Sequence, residues 1–222
     1  MSPQLLDLFT TTATFDSFIP INNEIVTSSL HGFSNQFTHI VGGNLSGKTH
    51  LLQAWIRLAK SQNKTAIYIE SKQDDSVNLR DIVQKFRFIA IDNVEKLNGL
   101  QQVLLFDLFN SIKQDGLDNF LLTSSHGSLE SLTTLRDDLK TRLLSGLNLH
   151  LKALGDEDLL HALTMYIKKE GVKIPPPELN YLIRHYARNI GALIAIIHKI
   201  AEAALLENRI ITIPLIKQVI TT

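Results

Sequence analysis

Apolar and polar residues alternate with two different periods along this 222-residue chain, and the period changes once for good near residue 151. Before that point, short apolar runs of strand length alternate with longer runs spaced for helices. The runs at 37–41 (FTHIV), 65–70 (TAIYIE, rich in β-branched and aromatic residues), 86–93 (FRFIAIDN), 119–125 (NFLLTSS) and 146–151 (GLNLHL) predict five strands. Between the first two, KTHLLQAWIRLAKSQ places Leu51, Leu52, Trp55, Ile56 and Leu58 close to a 3.6-residue repeat, with Trp55 expected in the core. LQQVLLFDLFNSIKQDG predicts a second helix, closed by Gly116. Residues 23–33 predict a short helix ahead of the first strand. Strands alternating with helices imply a parallel sheet covered on both faces.

After residue 151 only helical spacing remains. DEDLLHALTMYIKKEG begins acidic and ends basic before Gly171, as a helix dipole favours. Three prolines (175–177) precede the next helix, IGALIAIIHKIAEAALLEN is strongly apolar, and ITIPLIKQVI reads as a short extended turn followed by a helix. The expected organisation is a flexible arm at 1–13, an α/β domain at 14–152, and a small all-helical domain at 153–222.

The chemistry lies between the first strand and the helix after it. GGNLSGKT fills the pattern G-x-x-x-x-G-K-[ST] with Gly42, Gly47, Lys48 and Thr49. Glycines let backbone amides face phosphates without a Cβ in the way. Lys48 reaches the outer phosphates, Thr49 offers a hydroxyl to Mg2+, and the following helix aims its N-terminus at the anion. The loop 42–49, with Gly43, Asn44, Leu45 and Ser46 inside it and His50 just after, is therefore the expected site for ADP or ATP with Mg2+. Asp92 ends an apolar strand and is the expected second metal-side group. The next residue is Asn93, an amide that cannot accept a proton from water, so intrinsic hydrolysis is expected to be weak.

Composition adds limits. Lys+Arg and Asp+Glu both total 22, a poor footprint for a protein that tracks nucleic acid by itself. There is no cysteine, which excludes disulfides and zinc-thiolate sites. No signal peptide and no run near the roughly 20 residues of a membrane span is visible. The expected location is the cytoplasm.

Several of these segments together resemble the AAA+ family and, within it, the DnaA clade. GGNLSGKTHLL is similar to the Walker A segment of that clade, and TFDSFIPINNE (14–24) to the stretch that precedes its nucleotide-binding domain. LLTSSHGSLESL resembles the sensor I strand, which implies a role near the γ-phosphate for Thr123 or Ser124. LKTRLLSGL resembles the box VII segment and implies that Arg142 is an arginine finger acting in trans. YARNIGALIAII resembles the sensor II helix and implies a nucleotide contact for Arg188. Two departures from DnaA stand out. The chain ends soon after the lid, which leaves no room for a DNA-binding domain, and IDNVE (91–95) is closer to the Hda branch than to paired acids.

The Hda resemblance gives the N-terminus a meaning. QLLDLF (4–9) resembles a sliding-clamp-binding peptide, which implies a polar pocket for Gln4, a hydrophobic cleft for Leu8 and Phe9, and an auxiliary contact for Leu5. The implied function is negative regulation of replication initiation. The chain would stimulate hydrolysis of ATP bound to DnaA while tethered to the DNA polymerase III sliding clamp (beta subunit), meeting DNA only through the clamp. A homo-oligomer is also compatible. The alternatives are an ATP-driven helicase loader and a paralogue that recruits DnaA without inactivating it.

Overall fold

The computed structural model describes residues 13–71, 82, 84–114, 118–186 and 189–221. These divide into two units, 13–153 and 154–221. The first carries α1 (Glu24–His31), β1 (Phe37–Gly42), α2 (Lys48–Ser61), β2 (Ala66–Glu70), β3 (Phe88–Asp92), α3 (Gly99–Gln114), β4 (Phe120–Ser125), α4 (Asp137–Leu144) and β5 (Leu147–Leu151). The second carries α5 (Asp156–Lys169), α6 (Pro176–His185), α7 (Ile190–Leu206) and α8 (Ile213–Thr221).

The five strands form one sheet in the order β2-β3-β4-β1-β5, and every pairing is parallel. Parallel strands need covered faces, and side-chain alternation supplies both. Ile89 and Ile91 of β3 and Leu121 of β4 face a core built with Leu105, Phe109 and Ile112 of α3 and Leu139 and Leu143 of α4. Phe88 and Ala90 of β3 and Leu122 of β4 face the opposite core, with Leu51, Leu52, Trp55 and Ile56 of α2. Trp55 is core, as its helical spacing predicts, and meets Phe88 edge-to-face at 5.3 Å. That alternation matters for the site, because it sends neighbouring residues at the ends of β3 and β4 to different faces.

Chain order and strand order diverge around β1. From β1 the chain crosses to β2, and from β4 it crosses back past β1 to β5. Loops leaving the C-terminal ends of strands on either side of such a switch open a crevice between them. The loop after β1 and the ends of β3 and β4 lie at that edge.

The helical unit packs around its own core of Leu159, Leu163, Leu182, Leu193, Ile197, Ile200, Leu215 and Ile216. Its helices begin and end as the sequence predicts. Acidic residues 156–158 open α5, and Gly171 takes a left-handed φ of 69° just past its end. Asn189 caps α7, its side-chain oxygen accepting the Ala192 N–H at 3.2 Å. Among the described residues no helix is long and apolar enough to cross a membrane.

Candidate functional site

The loop from Gly42 to Gly47 joins the end of β1 to the first turn of α2. Gly47 has φ 96°, and a Cβ there would lie 2.7 Å from Phe18 Cε2, so both its conformation and its neighbour require glycine. Leu45 also takes a left-handed φ, 61°, and its side chain is 59% exposed. Gly43, Asn44 and Leu45 are exposed, while Ser46 is buried and its hydroxyl donates to Gly43 O at 2.9 Å. Lys48 is 8% exposed, and its ammonium donates to the carbonyls of Gly42 (2.6 Å) and Gly43 (2.9 Å). Burial lowers its pKa, opposed by the charges of Asp92 and Glu95. Glu95, two residues beyond Asn93, therefore acts electrostatically on the loop lysine, and one of its carboxylate oxygens is buried without a hydrogen bond.

Asp92 is fully buried at the end of β3 and gathers three hydroxyls. Its Oδ2 accepts Thr49 Oγ1 at 2.6 Å and Tyr68 OH at 2.9 Å, and its Oδ1 accepts the Ser124 hydroxyl. Burial raises the Tyr68 pKa first of all, with the Asp92 charge adding to it, so the phenol stays protonated and donates. Asn93 follows in the left-handed region (φ 58°, ψ 58°), which asparagine tolerates better than most residues. Its backbone N–H donates to Ser124 Oγ at 3.0 Å. The structure thus brings Lys48, Thr49, Asp92, Asn93 and Ser124 together at one edge of the sheet.

Thr123 does not join them. It lies one residue before Ser124 in β4, so its side chain points to the other face. There its hydroxyl meets His39 Nδ1 at 2.7 Å, and Ser125 Oγ meets His39 Nε2 at 3.0 Å. Ser125 donates its own hydrogen to Gly127 O at 2.6 Å, so it accepts from His39 Nε2–H, and Nδ1 accepts from Thr123. Burial holds this imidazole neutral, with a pKa of about 3 against an ordinary 6.5, and His150 adds to the shift. A lowered histidine pKa means that the unfolded chain takes up a proton the folded chain refuses. Stability is then full above about pH 6.5 and falls by up to about 1.4 kcal/mol per pH unit as pH drops toward 3. His50, also lowered chiefly by burial, acts in the same direction. Urea unfolding at about pH 5 is expected to give a stability about 2 kcal/mol below that at pH 7, with His39→Gln flattening the difference.

His50 is one residue past Thr49 and anchors the segment 14–18. Its Nε2–H donates to Thr14 O at 2.9 Å, and its ring lies 5.7 Å from that of Phe18. Phe18 in turn presses on Gly47. Residues 14–18 thereby lie against Gly47 and His50, at the start of α2.

Arg142 lies elsewhere. It sits in the last turn of α4, half-buried, with its guanidinium 5.6 Å from the centre of the Phe106 ring. The chain then reaches Gly146, which abuts Phe37 at the N-terminal start of β1. The described contact of the Arg142 side chain is thus with the Phe106 ring of α3 and not with the loop 42–49. Gln4, Leu5, Leu8, Phe9 and Arg188 lie outside the described residues.

The parallel sheet, the glycine-rich loop and the helical lid define an AAA+ module. A family model described as "Hda, lid domain" matches residues 156–220. An uncharacterized protein of Haemophilus influenzae is 30% identical over 216 residues, covering 94% of this chain and 93% of its own. Domain III of the Thermotoga maritima replication initiation protein DnaA aligns with a TM-score of 0.74 at 21% identity, over 96% of this chain and 97% of that one. A replication initiator DnaA bound to AMPPCP and single-stranded DNA aligns with a TM-score of 0.70 at 21% identity, over 91% of this chain and 70% of that one. The chain thus belongs to one family with the Haemophilus influenzae protein, carries an Hda lid domain at 156–220, and has the AAA+ fold of DnaA domain III.

Proposed function

We propose that this chain is an Hda-like negative regulator of replication initiation. It holds ADP or ATP in the 42–49 loop and stimulates hydrolysis of ATP bound to a neighbouring DnaA. The observation that carries the reading is the gathering of Lys48, Thr49 and Asp92 where β1 and β3 end, with Arg142 against Phe106 of α3 and not among them.

The residues fit a magnesium nucleotide. Lys48 is a buried cation whose carbonyl partners are loop carbonyls that a phosphate oxygen can replace, and the N-terminus of α2 favours an anion. Thr49 and Asp92 would hold Mg2+, which supplies positive charge against the phosphates. Asn93 provides no carboxylate to take a proton from water, so intrinsic hydrolysis of a bound nucleotide would be weak. Arg188 would add a nucleotide contact, as the sensor II resemblance implies. A relative whose structure holds AMPPCP has the same fold, which supports an adenine nucleotide as the ligand.

Arg142 would act on the neighbour. A guanidinium placed against the γ-phosphate neutralises charge that develops as the phosphoryl group leaves. The arm supplies the coupling: Gln4, Leu5, Leu8 and Phe9 would bind the DNA polymerase III sliding clamp. A tether of this kind raises the effective concentration of the chain at newly replicated DNA, which lets a weak DnaA contact succeed. With labelled ATP pre-bound to the cognate DnaA, added chain should speed hydrolysis when DNA-loaded clamp is present. Leu8→Ala/Phe9→Ala should lose that gain and regain part of it at high protein concentration. A gain that is independent of clamp and of these residues would contradict the tether. Chain that recruits DnaA while its ATP persists would favour the recruiting paralogue.

A further inference from the structure

We propose that Tyr68 is a positioning residue that limits how strongly a divalent cation couples to nucleotide binding, by occupying a lone pair of Asp92. The inference rests on the nucleotide reading above. A carboxylate offers about four lone-pair positions. Three at Asp92 are taken by hydroxyl hydrogens, from Thr49 and Tyr68 on Oδ2 and from Ser124 on Oδ1.

The three donors are not equivalent. Thr49 can keep its hydrogen on Asp92 while its oxygen lone pairs face a cation. Ser124 also accepts the Asn93 N–H, which ties it to the backbone turn after β3. Tyr68 adds no cation ligand in this arrangement. It draws charge from the carboxylate oxygen that also serves Thr49. Its phenol donates to Asp92 Oδ2 at 2.9 Å, which holds the ring against the carboxylate. β2 is in register with β3, pairing Tyr68 with Ala90 and Glu70 with Asp92, so the ring stands beside the carboxylate without strain in the strand.

Removing the phenolic oxygen returns a lone pair and charge to Asp92, where a cation or its bound water can use it. The ratio of the ADP Kd in EDTA to that in Mg2+ reads this coupling. Tyr68→Phe should raise the ratio about three- to tenfold over wild type, the size expected for one hydrogen bond to a charged group. Tyr68→Leu lacks the same donor and should shift the ratio in the same direction, which covers the case in which one variant folds poorly. A purely structural role for Tyr68 would weaken both Kd values together. An unchanged or lowered ratio in both variants, with normal wild-type binding, would overturn this inference alone. Absence of ADP binding by the wild-type chain would overturn the nucleotide reading and this inference with it.

Discussion

Arg142→Ala abolishes the stimulated hydrolysis of DnaA-bound ATP, with an expected loss of about 10³-fold or more in rate. The size follows from the role. A finger contributes where charge develops on the transferring phosphoryl group, inside a site from which water is excluded, and no other side chain replaces it. The same substitution should leave this chain's own ADP affinity in place, because the described contact of Arg142 is with Phe106 of α3 and not with the loop. It should also leave the fold intact, since a half-exposed cation–π contact contributes only about 0.5–1 kcal/mol. Single-turnover hydrolysis on DnaA, paired with ADP titration of the isolated chain, separates the two effects. Loss of ADP affinity alongside the rate would point to a structural fault in place of a finger.

Lys48→Ala gives the mirror image: ADP and ATP affinity of the chain itself should fall by about 100-fold or more. Lys48 is the buried cation of the loop, and charge-assisted bonds to phosphate are among the stronger polar contacts, at about 1.5–3 kcal/mol each. Two such bonds lost together account for the expected drop. In the absence of nucleotide the cost to stability should be modest, because the two carbonyls that lose their partner, Gly42 O and Gly43 O, lie in a loop whose outer part is open to water. Isothermal titration together with thermal melting of the variant reads both quantities.

Much of this architecture was legible in the amino-acid pattern. The strand run at 86–93 holds an unbroken apolar stretch, Phe88–Ile91, because both faces of a parallel sheet are covered. The G-x-x-x-x-G-K-[ST] spacing marked the loop because glycine at position 47 and the lysine and threonine after it each answer a distinct physical demand. What the pattern left open was facing. It offered Thr123 and Ser124 as equal candidates, and only the strand register shows that Ser124 meets Asp92 while Thr123 turns to His39. Tyr68 escaped notice for a related reason. An aromatic residue in TAIYIE reads as strand propensity, and its bond to Asp92 arises from a pairing of β2 with β3 that no local spacing encodes. Glu95 follows three residues after Asp92, and the one-turn helix at Val94–Lys96 brings its charge to bear on Lys48.

The most direct measurement is single-turnover hydrolysis of labelled ATP held by the cognate DnaA, with DNA-loaded clamp, with and without the wild-type chain carrying ADP. ATP on DnaA should be consumed faster when the chain is added. An unchanged rate, with the chain shown to bind both ADP and DnaA under the same conditions, would contradict it.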